Sequence, residues 1–153
     1  MFKINRKLEY ALMALKYMHT KQPGELSTVK EMCESTKSPF DVMARVLQGL
    51  AQKGVLRSEH GAHGGYQIIK DLTKLSVLEL TEMILGPVQF ADCLGDDMNC
   101  GLTAACNVIS PIMHLNERLK DLYRNMSVRE LIAVQHPGEK KIRLQPEHTT
   151  FVV

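Results

Sequence analysis

Residues 38–66, SPFDVMARVLQGLAQKGVLRSEHGAHGGY, decide the fold of this chain. Ser38 is a preferred N-cap residue and Pro39 suits a first helical position, so the stretch predicts a helix over residues 38–53 that stops at Gly54. One face of this helix is apolar and is expected to point inward, with Phe40, Met43, Val46, Leu47 and Leu50. The opposite face is polar and is expected to be exposed, with Asp41, Arg45, Gln48 and Gln52.

A β-hairpin is predicted directly after this helix. Residues 55–58 and 66–69 have the length and apolar content of short strands. The residues between them include Gly61, Gly64 and Gly65, which favour a tight turn because glycine adopts conformations that are closed to other residues.

Two helices are predicted before the quoted stretch. Apolar residues at spacings of three and four predict a helix over residues 5–19. Ser27 is a suitable N-cap for a shorter helix, which a break at residues 35–37 separates from the helix of residues 38–53. Two helices joined by a short break and followed by a glycine-tipped hairpin are typical of a winged helix-turn-helix. The predicted fold class is therefore mainly α with a small β-hairpin wing.

This arrangement predicts DNA binding, since the major groove is about 12 Å wide and admits one α-helix. The outward residues Asp41 and Arg45 would then face base edges. The alternative is that they form an i,i+4 ion pair on a solvated helix. Charge favours the first interpretation, because residues 1–70 carry 11 Lys and Arg against 6 Asp and Glu, whereas residues 71–153 carry 8 against 11.

The second half of the chain predicts helices on both sides of an irregular segment. Ser76 and Glu79 form a capping-box pattern that opens a helix to about Leu85. Residues 88–104 have no clear periodicity and are predicted to be a loop. A heptad pattern follows and predicts a long helix whose apolar seam packs on a partner helix, formed by Ala105, Val108, Ile112, Leu115, Leu119, Leu122 and Met126.

Pro111 complicates the start of that long helix, which is predicted either to kink there or to begin with Ser110 as its N-cap. Ser127 opens a second capping box and a short terminal helix. From Gln135 onward, Pro and Gly residues predict an extended or disordered tail. The predicted parts are a DNA-binding domain over residues 1–86, an irregular loop with three cysteines over 87–106, a dimerisation helix with the short terminal helix over 107–134, and the tail over 135–153.

The composition is that of an ordinary globular protein, with 44% hydrophobic and 24% charged residues in a chain of 153. No apolar run approaches the ~18–20 residues that a membrane span needs, and no signal peptide is recognised, so a cytoplasmic location is expected. The sequence contains no Ser/His/Asp arrangement, phosphate-binding glycine loop or pair of catalytic carboxylates. No enzymatic activity is therefore expected.

Three of the four cysteines, Cys93, Cys100 and Cys106, lie within fourteen residues. Thiolates are the soft ligands that iron–sulfur clusters prefer. A structural zinc site is disfavoured, because such sites pair cysteines two to four residues apart. The alternatives are a thiol switch that forms a disulfide and inert thiols in a packing loop. The fourth cysteine, Cys33, lies on the apolar face of the second helix and is expected to belong to the core.

Several motifs together resemble those of the Rrf2 family of bacterial winged-helix regulators. They are Phe2-Lys3-Ile4 with Glu9-Tyr10-Ala11-Leu12, the helix over 38–53, Gly54-Val55-Leu56-Arg57-Ser58, the wing Gly61-Ala62-His63-Gly64-Gly65-Tyr66, the capping box at Ser76, and three cysteines before a long helix. The resemblance covers residues 1–133. It implies a homodimer whose long helices cross and which binds a double-stranded DNA operator. Many members sense iron–sulfur status, iron, nitric oxide or redox state.

The resemblance also implies the ligands of an iron–sulfur cluster. Cys93, Cys100 and Cys106 match the three cysteines of IscR-like and NsrR-like members, with a first interval that is one residue longer. Ile109 stands where IscR-like members have a fourth, histidine ligand. Glu9 matches the aspartate that the partner's first helix supplies in NsrR-like members and is the candidate fourth ligand, which favours a [4Fe-4S] over a [2Fe-2S] cluster. The alternative for Glu9 is a carboxylate that stabilises the start of its helix.

DNA contacts implied by the resemblance lie in the helix over 38–53 and in the wing. Arg45 suits guanine or phosphate, Asp41 suits cytosine, and Lys37 suits phosphate. His60 stands where IscR-like members have an arginine that enters the minor groove. The full set of expected contacts is Lys37, Ser38, Asp41, Arg45, Arg57, His60 and His63.

The hypothesis that follows is a homodimeric regulator in which a cluster ties the DNA-reading unit to the dimer axis. A cluster-free repressor with a thiol switch would share the fold and the DNA contacts. An electron-transfer protein that uses the cluster without sequence-selective DNA binding is a third possibility, which the basic first half of the chain disfavours.

Overall fold

The computed structural model of the chain describes residues 3–61, 64–94, 100–101 and 105–135. Its first half contains α1 (Arg6–His19), α2 (Val29–Thr36), α3 (Phe40–Gln52) and the antiparallel strands β1 (Leu56–Glu59) and β2 (Gly65–Ile68). Its second half contains α4 (Val77–Leu85), a single 3-10 turn (Asp92–Leu94), α5 (Ile109–Arg124) and α6 (Val128–Ala133). The mainly α fold with a two-stranded wing is confirmed.

One apolar core holds the helix-turn-helix and the wing together. α1 packs on α3, α4 and α6, and α3 packs on α2 and β1. α1 also contacts α2 and β2, so it links α3 to both the wing and the second half of the chain. The largest fully buried side chains include Leu15, Met32, Met43, Leu47, Leu50, Leu75 and Leu80.

α2 begins one residue later than Ser27 predicts. Thr28 is the N-cap, and it forms a capping box with Glu31. Ser27 instead pairs with Tyr66, each donating its N–H to the other's carbonyl at 2.9 Å. Since that bridge uses both backbone groups of Ser27, its neighbour has to cap the helix. A Cβ on Gly65 would lie 2.8 Å from the carbonyl oxygen of Ser27, so the bridge also requires glycine there.

The start of α3 also differs from the prediction. Pro39 is the N-cap residue and makes no side-chain cap bond, and the helix proper begins at Phe40. The hydroxyl of Ser38 is directed to other partners, Thr36 Oγ1 at 2.8 Å and Cys33 Sγ at 3.7 Å. The prediction that Phe40 points inward is wrong, because 56% of this residue is exposed.

α5 begins at Ile109 with Val108 as its N-cap residue, so the prediction that Ser110 is the N-cap is wrong. Pro111 is the third residue of the helix, where a backbone N–H would have no intrahelical partner. The capping boxes at Ser76 and Ser127 are both confirmed. No helix in the described ranges is long and apolar enough to cross a membrane.

Only part of the predicted apolar seam of α5 is covered within the chain. Ile112 and Leu119 are half-buried beside α4, whereas Leu115 and Leu122 are 53% and 56% exposed. Val108, which precedes the helix, is also exposed. The face that carries Leu115 and Leu122 is therefore available to a second molecule.

Candidate DNA-binding face and cysteine segment

The turn between α2 and α3 sets the direction of α3. Lys37 adopts a left-handed conformation with φ of 57°, and this single residue ends α2. Pro39 then holds an extended conformation that leads into α3. The four core residues Met43, Val46, Leu47 and Leu50 fix the inner face of α3, so its outer face is fixed as well.

The outer face of α3 is polar and exposed, as predicted. It carries Asp41, Arg45, Gln48 and Gln52. The ion-pair alternative for Asp41 and Arg45 is not observed, since no salt bridge joins these two described residues. Both charged groups therefore face solvent and can contact a ligand without first breaking an internal pair.

The wing adds a second set of polar groups beside α3. Arg57 and His60 are exposed, and the guanidinium of Arg57 forms an ion pair with Glu59 at 3.0 Å. A Cβ on Gly64 would collide with the carbonyl oxygen of Glu59, so the hairpin needs glycine at that position. His63, which is also an expected contact, lies outside the described residues.

An open groove of about 790 Å³ separates α3 from the wing. Phe40, Gln48 and Gln52 line it from α3, and His60 and Gly61 line it from the hairpin. Asp41 and Arg45 lie on the same exposed face of α3 as Gln48 and Gln52. The arrangement brings together the polar face of α3 and the wing, and it leaves Ser38 partly enclosed in the turn.

The three clustered cysteines lie in the segment that connects α4 to α5. Cys93 is in the 3-10 turn, Cys100 follows it, and Cys106 lies three residues before α5 begins. Each of the three side chains is half-buried. Within the described ranges, no three Cys, His, Asp or Glu side chains are placed so that they could hold a metal ion. The donor set suits an iron–sulfur cluster chemically, but in this conformation the described side chains do not gather into a site.

A buried asparagine on α5 fastens this segment near its start. Asn116 is 5% exposed, its Oδ1 accepts a hydrogen bond from the backbone N–H of Phe90 at 3.1 Å, and its amide donates to Glu117. The ring of Phe90 also packs edge-on against Tyr123 of α5, with centroids 5.7 Å apart. Cys93 is thus three residues from Phe90, which is held against α5.

We predict that Asn116→Ala lowers the free energy of unfolding by about 1–3 kcal/mol, because the N–H of Phe90 loses its acceptor in a partly buried place. Asn125→Ala is the matched control, since Asn125 is exposed at the end of the same helix. That control is expected to stay within about 0.5 kcal/mol of the parent. Urea unfolding at one protein concentration measures both, and equal midpoints for the two variants would contradict the anchor.

The start of α1 lies beside the same segment. A cavity of about 290 Å³ is lined by Ile4 just before α1, by Leu8 in its first turn, by Phe90 in the connecting segment and by Tyr123 on α5. Glu9 is half-buried in the first turn of α1, and its carboxylate accepts from Arg6 at 3.2 Å. To act as a ligand, Glu9 would have to exchange this exposed ion pair for the metal.

Sequence reasoning missed two residues of these sites. The helical periodicity places Phe40 in the core, although its position at the edge of the apolar arc is a sign that it could lie outside. Asn116 gave no signal, because a polar residue within a heptad pattern is ordinarily assigned to the solvent side. Its role depends on a contact with a residue 26 positions earlier in the chain.

A helix-turn-helix with an exposed polar second helix, a wing beside it and a long helix with an open apolar face define a winged-helix DNA-binding regulator. The family of the chain is shown by a family model described as an iron-dependent transcriptional regulator, which matches residues 4–134. The chain belongs to the Rrf2 family.

Proteins of similar sequence are described as transcriptional regulators. A putative HTH-type transcriptional regulator of Aquifex aeolicus is 25% identical over 130 residues, which cover 84% of this chain and 90% of the relative. The HTH-type transcriptional regulator NsrR of Bacillus subtilis is 22% identical over 107 residues, covering 69% of this chain and 73% of that protein.

Solved structures share the fold. CymR, the global cysteine regulator of B. subtilis, superposes with a TM-score of 0.68 at 17% identity, over 87% of this chain and 98% of its own. IscR of T. potens superposes with a TM-score of 0.64 at 14% identity, over 86% and 87% of the two chains. At these identities the likeness concerns the fold alone.

Proposed function

We propose that this protein is a homodimeric, cytoplasmic transcription regulator that binds operator DNA through α3 and the wing. In this proposal Cys93, Cys100 and Cys106 hold an iron–sulfur cluster. The observation that carries the proposal is the exposed, unpaired stripe of Asp41 and Arg45 on a helix that the core holds in place beside the wing. The membership in a family of transcriptional regulators supports it.

Each DNA-facing group has a distinct role in this proposal. Arg45 presents a guanidinium that can donate two hydrogen bonds to guanine, and Asp41 can accept from the amino group of cytosine. Lys37, Arg57 and His60 contact phosphates or the adjacent minor groove and fix the register of α3. Ser38 is also proposed to contact DNA, but its hydroxyl would first have to break its hydrogen bond with Thr36. His63 belongs to the same expected set.

A second copy of the chain is the partner that the exposed face of α5 fits. Leu115 and Leu122 are one heptad apart, so they lie on one side of the helix and can pack against their counterparts. Two α3 helices would then contact two half-sites about 34–36 Å apart. Such spacing makes binding sensitive to any change that reorients α5 relative to α1.

The cysteine segment is attached to α5 and starts beside α1, so a signal there could reach both of these helices. Asn116 and Tyr123 hold its start on α5, and Cys106 lies just before α5 begins. When bound, an iron–sulfur cluster supplies a redox-sensitive and nitric-oxide-sensitive centre to its thiolate ligands. Glu9 of the partner is the proposed fourth ligand, and a [4Fe-4S] cluster is favoured. The description of the family as iron-dependent supports a metal-linked signal.

A cluster-free thiol switch is the second candidate function. It is favoured by the closeness of three half-buried cysteines in one connecting segment and by the lack of a metal-holding group among the described side chains. The fold likeness includes an oxidized form of Staphylococcus aureus CymR, with a TM-score of 0.65 at 17% identity. An electron-transfer role is disfavoured, because the relatives named above are transcriptional regulators.

We predict that Arg45→Ala weakens binding to a selected operator by about tenfold per half-site, since a bidentate guanine contact contributes about 1–3 kcal/mol. Lys53→Ala is the matched control, because it removes the same charge from an exposed residue at the other end of α3. Fluorescence anisotropy at fixed salt compares the two. If Arg45→Ala binds like the parent, α3 does not read the operator through Arg45.

A further inference from the structure

Phe40 is an exposed aromatic residue at the edge of the apolar arc of α3, beside the polar outer face of that helix. It is the first residue of α3 and is 56% exposed, although phenylalanine gains substantially from burial. Pro39 and the buried residues on the inner face fix this position, so Phe40 cannot turn inward without moving the helix. Its exposure therefore results from how the core holds α3.

Phe40 lies where a recognition helix approaches the bases. The N-terminal residues of such a helix contact base edges in the major groove. Along α3, Phe40 is next to Asp41 and two helical turns before Gln48, and with Gln48 it lines the groove that faces the wing. The ring is thus at the leading end of the proposed reading face.

The surroundings of Phe40 fit a small apolar group better than a protein surface. All the other large apolar side chains that are exposed in the described part of the chain lie outside α3. Protein docking sites are usually wider, contiguous apolar patches. The C5-methyl group of thymine is the one apolar group that base pairs expose in the major groove, and phenylalanine is a known type of contact for it.

We infer that Phe40 is a specificity-determining residue that contacts the C5-methyl group of one thymine in each operator half-site. This inference rests on the proposed DNA-binding function. It adds an apolar element to readout by Arg45 and Asp41. The phenyl ring covers the methyl group when α3 enters the groove, so the complex prefers thymine to a base that lacks that group.

The test begins with a duplex selected from random DNA by the unsubstituted full-length protein. Each thymine of that duplex is then replaced in turn by deoxyuridine, which removes only the methyl group. We expect that, at one thymine of each half-site, this single replacement weakens binding about fourfold. That factor corresponds to the free energy gained by burying one methyl-sized group. Phe40→Ala should bind the thymine and deoxyuridine duplexes equally, and Phe40→Leu should retain part of the preference.

Ile69→Ala is the matched control, because Ile69 is also an exposed apolar residue, at 54%, but lies outside α3. It should keep the full preference for thymine. If no thymine replacement affects the parent, or if Phe40→Ala discriminates as well as the parent, the inference is overturned while DNA binding stands. If selection yields no preferred duplex at all, the proposed DNA-binding function itself fails. Circular dichroism of both Phe40 variants checks that the helices are intact.

Discussion

The double variant Leu115→Asp/Leu122→Asp is expected to be monomeric and to bind operator DNA roughly a hundredfold more weakly, or worse. The two leucines are more than half exposed and lie one heptad apart on α5. In a dimer they would be buried against their counterparts, where four carboxylates would be desolvated beside one another. A monomer then loses the simultaneous binding of two half-sites, which is worth 10²–10⁴ in affinity in linked systems, as an order of magnitude.

Met113→Asp is the matched control for this prediction. Met113 is 53% exposed on the same helix, but its position in the helical repeat places it on a different side from Leu115. Sedimentation equilibrium gives the oligomeric state, and fluorescence anisotropy gives the affinity. A dimeric double variant with the affinity of the parent would show that α5 does not form the interface.

The second large effect is expected from replacing Cys93, Cys100 and Cys106 together with serine. Hydroxyl groups are poor ligands for iron–sulfur clusters, so the variant should contain no iron or acid-labile sulfide. Its affinity for operator DNA should no longer change on exposure to nitric oxide or air. We expect this loss of response to be complete, because all three proposed cysteine ligands are removed.

Cys33→Ser is the control for the cysteine experiment, since Cys33 is a thiol in α2 that packs against the core and lies apart from the other three. It should keep the iron content and the response of the parent. The thiol-switch alternative gives a different result. It predicts a parent protein without iron whose response follows formation of a disulfide between Cys93 and Cys100 or Cys106, which mass spectrometry detects after alkylation.

Local sequence patterns predicted most of the helix-turn-helix and the wing. The capping boxes at Ser76 and Ser127 are each formed by a serine and a glutamate three residues apart. The sequence therefore predicts where α4 and α6 begin. The same rule would have chosen Thr28 with Glu31 over Ser27. The prediction that Ser27 caps α2 is wrong because its partner, Tyr66, is distant in the sequence and belongs to the wing.

The parts that were not predictable depend on contacts between distant residues. The periodicity of α3 shows an apolar arc but does not show where the core ends, so it wrongly predicts that Phe40 is buried. The anchor of Asn116 on Phe90 joins two elements across 26 residues, and no local pattern signals it. The cysteine spacing pointed to a soft-metal site, yet three thiols in sequence do not determine how the segment between them folds.

The iron and acid-labile sulfide content of the full-length protein purified without oxygen tests most directly whether the three cysteines hold a cluster. If they do, iron and sulfide are present in near-equal amounts, a visible absorption band appears that the Cys93/Cys100/Cys106 serine variant lacks, and operator affinity changes when that band is bleached. Protein that contains neither iron nor sulfide, and that binds its operator identically with and without the three cysteines, would contradict it.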